Sequence, residues 1–368
     1  MSSLSGLAPA SVQFSIARGS SLNYLRLSPF GEYKQLYRTS KHPGPKFSMH
    51  KVSIITPCLN AAPFIQTALL SIAEQNYPNL EHIIVDGGST DETLTIVERY
   101  KMESTSVLSE RDNGTSQAIN NGFAIALGAY AWVLNADDML AAPDSISTLA
   151  AYLDNHPQCD FVFGHMNMLD ATGRQIGVRS FSKGYGVTDL LADRRHLPFA
   201  GCLIRRKIFK DLGGFNTSYQ YSNDLDFYLR LAAKHSICRL NKVTGSFRLH
   251  AASSTSSHIA MSGQETARIC IDALNDDRII SQLKRDPDVI RSAIRLFQAS
   301  CEFHDGEAQA VRHHLWKAAQ LTPSVLIGVK PWIYGLLSLG GTQFMHMTAA
   351  QLRRLIHKKG WYSINNAG

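Results

Sequence analysis

Short apolar runs alternate with amphipathic segments from residue 52 onwards. Val52-Ser-Ile-Ile-Thr56 and Glu81-His-Ile-Ile-Val85 have the composition of buried strands. Between them, Phe64, Ala68 and Ile72 recur at the spacing of one helix face. The pattern therefore predicts a strand, a helix and a second strand, in that order along the chain.

The same alternation continues for another fifty residues. Ser89-Thr-Asp-Glu92 has the spacing of a capping box and predicts a helix that reaches about Tyr100. Residues 106–109 and 130–134 are predicted strands, with a helix predicted over 116–127 between them. Such alternation indicates an α/β fold, with a mostly parallel sheet that carries helices on both faces.

Composition divides the chain into three parts. Residues 1–49 are rich in serine and lack periodicity, so we expect a disordered extension or a misassigned start codon ahead of Met49. Residues 50–260 carry the alternating elements and form the main predicted domain. Residues 261–368 have helical patterns and predict a helical C-terminal region.

The positive charge lies at the two ends of the chain. The net charge is +7, but residues 1–50 hold six Lys and Arg against one acid, and residues 308–368 hold seven against none. The middle of the chain is slightly acidic, with 24 bases and 29 acids. Nucleic-acid binders carry their basic residues on the folded domain, so we expect no nucleic-acid partner and favour an anionic membrane surface.

The sequence contains neither a secretory signal nor an uninterrupted run of 18 apolar residues, so a membrane-spanning helix is not expected. Its six cysteines occur singly and have no zinc-binding spacing, and we interpret them as reduced, mostly buried thiols of a cytoplasmic protein. They are Cys58, Cys159, Cys202, Cys238, Cys270 and Cys301.

Polar residues are concentrated where the predicted strands end, which is where ligands bind in α/β sheets. The loops lack a Gly-x-Gly-x-x-Gly fingerprint and a P-loop, which argues against a nicotinamide or flavin enzyme. Carboxylates dominate instead, and the pair Asp137-Asp138 suits Mg²⁺ or Mn²⁺; the alternative is that both acids cap the turn before Pro143. The four loops contribute Thr56, Pro57 and Asn60; Asp86, Gly87, Gly88 and Ser89; Glu110, Arg111, Asp112, Asn113 and Gly114; and Asn135, Asp137 and Asp138.

Four motifs in this order resemble family 2 glycosyltransferases with the Rossmann-like GT-A fold, over about residues 50–255. The resemblance is greatest to the bacterial branch that builds exopolysaccharide and O-antigen units. The motifs are Val52-Ser-Ile-Ile-Thr-Pro-Cys-Leu-Asn60, Val85-Asp-Gly-Gly-Ser-Thr-Asp91, Ser109-Glu-Arg-Asp-Asn-Gly-Thr-Ser-Gln-Ala-Ile-Asn-Asn-Gly122 and Leu134-Asn-Ala-Asp-Asp138.

The resemblance implies a nucleotide pocket and a divalent cation, Mn²⁺ or Mg²⁺. Thr56, Pro57 and Asn60 would line the pocket, Asp86 would bind the base and Asp112 would close over it, whereas Asp137 would contact the ribose or diphosphate. Asp138 would bind the metal, and His250 would be a second ligand or a structural histidine. Gln117 departs from the branch, which often has Asp there, and Arg248 would offset phosphate charge.

The resemblance also implies the base for an inverting sugar transfer. Asn223-Asp224 matches the family's Glu-Asp motif, so Asp224 would deprotonate the acceptor hydroxyl; the alternative is a plain helix N-cap. We predict a helix over 223–233 that is capped by Asn223. Asp226 and Arg230 have the spacing of a surface ion pair.

The last stretch mixes aromatic, aliphatic and basic residues without acids. This composition suits an interfacial membrane segment, with a lipid-linked sugar as acceptor; the alternative is a helical cap with a solvated basic face. Two hypotheses follow for the whole chain. It is a metal-dependent inverting glycosyltransferase at the cytoplasmic face of a membrane, or a catalytically silent nucleotide-sugar-binding or scaffold protein of the same fold.

Overall fold

A computed structural model describes residues 50–182, 185–191, 197–250, 259–305 and 307–324. The extension predicted at 1–49 and the membrane segment predicted after residue 324 lie outside these residues. The strands are β1 Val52–Cys58, β2 Leu80–Asp86, β3 Thr105–Ser109, β4 Tyr130–Val133, β5 Met139–Leu140, β6 Phe161–Leu169, β7 Gln175–Arg179, β8 Cys202–Arg205 and β9 Ile237–Arg248. The helices are α1 Ile65–Ala73, α2 Thr93–Tyr100, α3 Thr115–Ile125, α4 Ser145–Asn155, α5 Val187–Leu191, α6 Arg206–Asp211, α7 Asn223–Lys234, α8 Ile259–Ala273, α9 Asp277–Ile280, α10 Pro287–Asp305 and α11 Ala308–Leu321.

The described strands form one sheet in the order β3-β2-β1-β4-β8-β6-β9-β5, and β7 pairs with β6. The first four strands are parallel, so their carboxyl ends lie at one edge of the sheet. Beyond β4 the sheet is mixed, because β8 is antiparallel to both β4 and β6 whereas β9 runs parallel to β6. The predicted α/β architecture is confirmed.

An aromatic cluster holds α7 against the sheet. The indole of Trp132 in β4 is fully buried and lies 5.9 Å from Phe227 and 6.2 Å from Tyr228 between ring centroids. Phe161 packs edge-on against the same indole at 4.9 Å. Aromatic contacts of this kind combine a large buried area with specific ring geometry, so they fix the helix that carries Asp224.

The main core continues past residue 260, the predicted domain boundary. Ala267, Ile269 and Cys270 of α8 belong to the same buried cluster as the strands, as does Ile290 of α10. Among the described helices, none combines the length and hydropathy that crossing a membrane requires.

One pair of cysteines departs from the prediction of reduced thiols. Cys159, just before β6, is disulfide-bonded to Cys238 in β9 across a Cα–Cα distance of 6.1 Å. The two residues are 79 positions apart in sequence, and they meet because β6 and β9 are neighbours in the sheet. The other four cysteines are buried and lie outside this disulfide, as predicted.

A histidine inside the sheet makes the stability of the protein depend on pH. His82 in β2 is 1% exposed, and its Nε2 lies 2.8 Å from the hydroxyl of Thr56. Desolvation by burial lowers the pKa of His82 from 6.5 to about 3. The folded state therefore holds this ring neutral at pH values where the unfolded chain would protonate it.

We expect the free energy of unfolding to fall as the pH drops from 6.5 towards 3. The slope from His82 approaches about 1.4 kcal/mol per pH unit, because protons bind the unfolded state preferentially. Urea denaturation between pH 5 and pH 8 should show this loss, and a smaller one in His82→Gln. An unchanged slope in His82→Gln would contradict the assignment.

Candidate active site

The loops after β1 and β2 are joined by hydrogen bonds between their tips. Asn60 adopts a left-handed conformation with φ of 49°, which aims its side chain at the neighbouring loop. Its side-chain Oδ1 accepts a hydrogen bond from the Thr90 backbone amide at 2.9 Å. Its backbone amide donates to the Ser89 hydroxyl at 2.8 Å. Asn60 is thus exposed at the end of β1 and joins the two loops, and its predicted place in a nucleotide pocket stays a prediction.

Asp86 lies at the end of β2 with no exposed surface. Its carboxylate accepts bonds from the amide and hydroxyl of Ser89, from the Gly88 amide at 3.2 Å and from the Ser109 hydroxyl at 2.8 Å. Desolvation opposes the charge, but the bonds from Ser89, Ser109 and Gly88 outweigh it and lower the pKa of Asp86. In this structure the residue organises the loop around it, and its predicted contact with the base stays a prediction.

The same bonds explain why the predicted capping box does not form. The Ser89 hydroxyl is engaged by Asp86 and Asn60, so it does not cap a helix, and α2 begins at Thr93 instead. Asp91 occupies the approach to this helix, where it accepts from the amides of Thr93 at 3.0 Å and Ala62 at 3.2 Å. Residues 89–92 therefore form part of the loop after β2 and not the predicted start of α2.

Thr56 and Pro57, both predicted to line the nucleotide pocket, are buried in β1. The Thr56 hydroxyl faces His82 inside the sheet rather than the cleft. Leu59, two residues beyond Pro57, is 58% exposed at the strand end. The residues of this loop that reach the surface are therefore Leu59 and Asn60, and Thr56 and Pro57 lie beneath them.

Asp112 lies against the loop after β2, and its predicted closure over the nucleotide stays a prediction. A Cβ atom on Gly87 would meet the two carboxylate oxygens of Asp112 at 3.1 and 3.2 Å, so a larger residue here would require the Asp112 side chain to shift. The carboxylate also accepts from the Gly114 amide at 2.9 Å, just before α3 begins. The close approach of Gly87 and Asp112 brings the loops after β2 and β3 together at one edge of the sheet.

The two adjacent aspartates after β4 face different environments. Asp138 has no exposed surface, and its oxygens accept from the Arg248 amide at 3.2 Å and the Asn135 amide group at 3.4 Å. Burial, together with the charge of Asp137, raises the pKa of Asp138 well above its ordinary value. The Asp137 side chain is 28% exposed, so a cation in the cleft would meet Asp137 before Asp138.

His250 pairs with the exposed aspartate. Its Nε2 lies 2.9 Å from Oδ2 of Asp137, and its side chain is only 8% exposed. The ring packs on Phe64 with 4.2 Å between centroids, and Nδ1 is buried without a hydrogen-bond partner. Buried polar atoms are rarely left unsatisfied, which makes this nitrogen a candidate for binding a ligand.

Arg248 supports this corner from behind and does not face the cleft. It is 3% exposed, and its guanidinium donates to the backbone oxygen of Asp137 at 3.0 Å and to the Thr67 hydroxyl at 2.9 Å. Its charge also lies 5.4 Å from the centre of the Phe64 ring. Its N–H groups are directed into the protein, and the prediction that its charge offsets phosphate charge stays a prediction.

Asp224 lies in the first turn of α7, half-buried. Ser222 is the residue that precedes the helix, not the predicted Asn223, and no side chain caps it. Asn223 instead donates to the Ser116 hydroxyl at 2.6 Å, which joins the start of α7 to the start of α3. Asp224 is the next residue along the chain, so it lies near this junction of the two helices.

The ion pair predicted two residues further along α7 is present. Arg230 lies 2.6 Å from Oδ2 of Asp226. It also donates to the backbone oxygens of Leu212 and Gly214. Asp226 is therefore engaged in structure, and Asp224 is the carboxylate of this helix that remains as a candidate base.

Sequence reasoning missed the role of Phe64. The periodicity of α1 placed it on the core face, but its ring contacts both His250 and Arg248. The sequence around Phe64 carries no signal for this role, because its partners lie at and just after the end of β9. Only the three-dimensional arrangement identifies Phe64 as a wall of the site.

Comparisons with known proteins agree with this geometry. The family model "Glycosyl transferase family 2" matches residues 53–213. A PGL/p-HBAD biosynthesis glycosyltransferase of Mycobacterium bovis is 33% identical over 181 residues, which are 48% of this chain and 68% of the relative. The chain belongs to glycosyl transferase family 2.

Further relatives and solved structures agree with this assignment. An uncharacterized glycosyltransferase of Rickettsia prowazekii is 30% identical over 210 residues, 55% of this chain and 65% of the relative. The structure of Staphylococcus aureus TarS residues 1–349 with UDP-GlcNAc aligns with a TM-score of 0.59 at 20% identity, covering 83% of this glycosyltransferase and 92% of TarS. The likeness to TarS confirms the predicted GT-A fold.

Proposed function

We propose that this glycosyltransferase is an inverting enzyme that moves a sugar from a nucleoside-diphosphate sugar to an acceptor hydroxyl. The observation that carries the proposal is the pair formed by the partly exposed Asp137 and the His250 side chain, which is 8% exposed, beyond the ends of the parallel strands. TarS has been solved with UDP-GlcNAc, which supports a uridine nucleotide as the first donor to test.

The residues at this rim fit a divalent cation. Asp137 and His250 would hold it through the partly exposed carboxylate and the Nε2 that faces it. The described residues contain no group of three or more His, Cys, Asp or Glu side chains that could hold a metal ion alone. Mg²⁺ and Mn²⁺ commonly complete a set of one or two protein ligands with water and substrate phosphates. When bound, the cation would offset the negative charge of the departing diphosphate.

Asp224 would act as the general base. In an inverting transfer, the acceptor oxygen bonds to the anomeric carbon as the bond from that carbon to the diphosphate breaks on the opposite face. The proton of the acceptor hydroxyl passes to the Asp224 carboxylate, which lies at the start of α7 near its junction with α3. Asn60 and Asp112, at the tips of two rim loops, would enclose the nucleotide.

We further propose that the acceptor belongs to polysaccharide or glycolipid biosynthesis and that the protein works at the cytoplasmic face of a membrane. The support is the basic, aromatic composition of residues 325–368 together with the name of the mycobacterial relative. Flotation with vesicles that contain an anionic phospholipid, compared with neutral vesicles, tests the membrane association.

Thermal unfolding with UDP, GDP, dTDP or CMP, each with and without Mn²⁺, tests the proposed donor site. A ligand at 100 times its Kd stabilises a protein by about 2.7 kcal/mol, which is readily measured. We expect one nucleotide to raise the melting temperature in a Mn²⁺-dependent way, and the matching sugar nucleotide to be turned over. If no nucleotide stabilises the protein, the alternative of a catalytically silent scaffold replaces this proposal.

A further inference from the structure

A carboxylate from the C-terminal helices binds the segment that leads into α7. Glu265 of α8 accepts bonds from three consecutive backbone amides, those of Gln220 at 2.7 Å, Tyr221 at 2.6 Å and Ser222 at 2.7 Å. Hydrogen bonds to a charged group are about twice as strong as neutral ones. Glu265 lies 52 residues after the end of the family match over residues 53–213.

The usual cap of α7 is absent because its residue bonds elsewhere. Ser222 precedes the helix, but its hydroxyl lies 3.1 Å from the Ser262 backbone oxygen and 2.8 Å from the Thr266 hydroxyl, both in α8. A helix start leaves backbone N–H groups without partners, and a nearby negative charge stabilises it. Glu265 supplies that charge from a different helix.

A second set of contacts joins the same segment to α8. The Tyr219 hydroxyl lies 3.4 Å from the Asp272 carboxylate, and the Arg268 guanidinium lies 5.3 Å from the centre of the Tyr219 ring. The backbone oxygen of Tyr219 accepts from the Ser116 hydroxyl at 3.3 Å. Residues 219–222 are therefore held between α8 and the start of α3, directly before Asp224.

We propose that Glu265 is a positioning residue that holds Asp224 in the active site. The inference rests on the proposed function, because it gives α8 a task only if Asp224 is the base. The three amides bonded by Glu265 end two residues before Asp224, so their release would let the first turn of α7 move. A base that is displaced by about 1 Å from its productive position can lose two orders of magnitude in rate.

Kinetics of Glu265→Ala test the inference with a readout that general destabilisation would not reproduce. With the sugar nucleotide that the wild type turns over, we expect kcat to fall at least tenfold while the donor KM stays within twofold. Glu265→Gln keeps the length of the side chain and should restore part of kcat. Gln264→Ala is the matched control, because the exposed Gln264 bonds to Glu302 at 3.3 Å on the other side of α8. An unchanged kcat in Glu265→Ala, or an equal loss of kcat and donor affinity, overturns the proposal.

Hydrogen exchange of the amides of residues 220–222 separates this inference from the proposed function. We expect exchange to accelerate at least tenfold in Glu265→Ala and to stay at the wild-type rate in Gln264→Ala. If the wild type uses no sugar nucleotide but exchange accelerates as expected, the proposed function fails and the role of Glu265 in holding the segment is supported. If exchange does not change, the positioning role is overturned whatever the activity.

Discussion

Replacing Asp224 by Asn is expected to lower the rate of sugar transfer by roughly 10²–10⁴-fold, the usual contribution of a general base. The substitution preserves the size of the side chain. It also keeps an oxygen that can accept the hydrogen bond that the Leu225 amide donates to Asp224 Oδ1 at 2.8 Å. It removes the negative charge that would take the proton. We therefore expect the fold and the Mn²⁺-dependent binding of the nucleotide to remain.

The measurement is initial-rate kinetics of nucleotide release, together with thermal shift by the nucleotide and Mn²⁺. Asp226→Asn is the matched control, because Asp226 lies in the same helix and is paired with Arg230. We expect this control to lose some thermal stability and to retain transfer. An Asp224→Asn protein with wild-type kcat would remove Asp224 from the mechanism.

Replacing Asp137 by Ala is expected to abolish both Mn²⁺-dependent nucleotide binding and transfer. Asp137 is the exposed carboxylate of the pair and lies 2.9 Å from Nε2 of His250, so its loss leaves the histidine as the remaining protein ligand proposed for the cation. His250→Gln should weaken the Mn²⁺-dependent thermal shift in the same direction. Thermal shift with the nucleotide, with and without Mn²⁺, measures both variants.

The neighbouring aspartate provides the contrast. Asp138 is buried against the Arg248 amide, so Asp138→Asn should lower thermal stability while the Mn²⁺-dependent shift by the nucleotide persists. If Asp138→Asn lost the shift and Asp137→Ala kept it, the roles of the two residues would be those that the sequence resemblance implies, and our assignment from burial would be wrong.

The alternation of apolar runs and amphipathic segments was sufficient to predict the strands and helices that carry the rim. Each of the first four parallel strands was predicted within three residues of its observed ends, because buried parallel strands are nearly continuous apolar runs. Helix starts were predicted less well. Ser89 has the spacing of a cap, but its hydroxyl bonds to Asp86 and Asn60, and these tertiary bonds override the local preference.

The direction of a polar side chain at a strand end was harder to predict than its place. Asp137 lies in the turn between β4 and β5, where the Asp138 amide donates to the Asn135 backbone oxygen at 3.1 Å, and the two neighbouring carboxylates face different surroundings. Which carboxylate is buried depends on the end of β9. The Arg248 amide donates to the buried Asp138, and His250 pairs with the partly exposed Asp137. These contacts join residues 110 and 113 positions apart in the sequence, so no local pattern predicts them.

The sequence by itself determined the fold class, the family and the four loops that meet at the edge of the sheet, because hydrophobic periodicity and motif order are properties of neighbouring residues. The tertiary structure alone decided which carboxylates are exposed, the pairing of Cys159 with Cys238, and the contact of Glu265 with the segment before Asp224. Each of these depends on residues that are brought together by the sheet and the C-terminal helices. Burial and hydrogen bonding between distant segments therefore set the chemistry of a site whose position the sequence had already indicated.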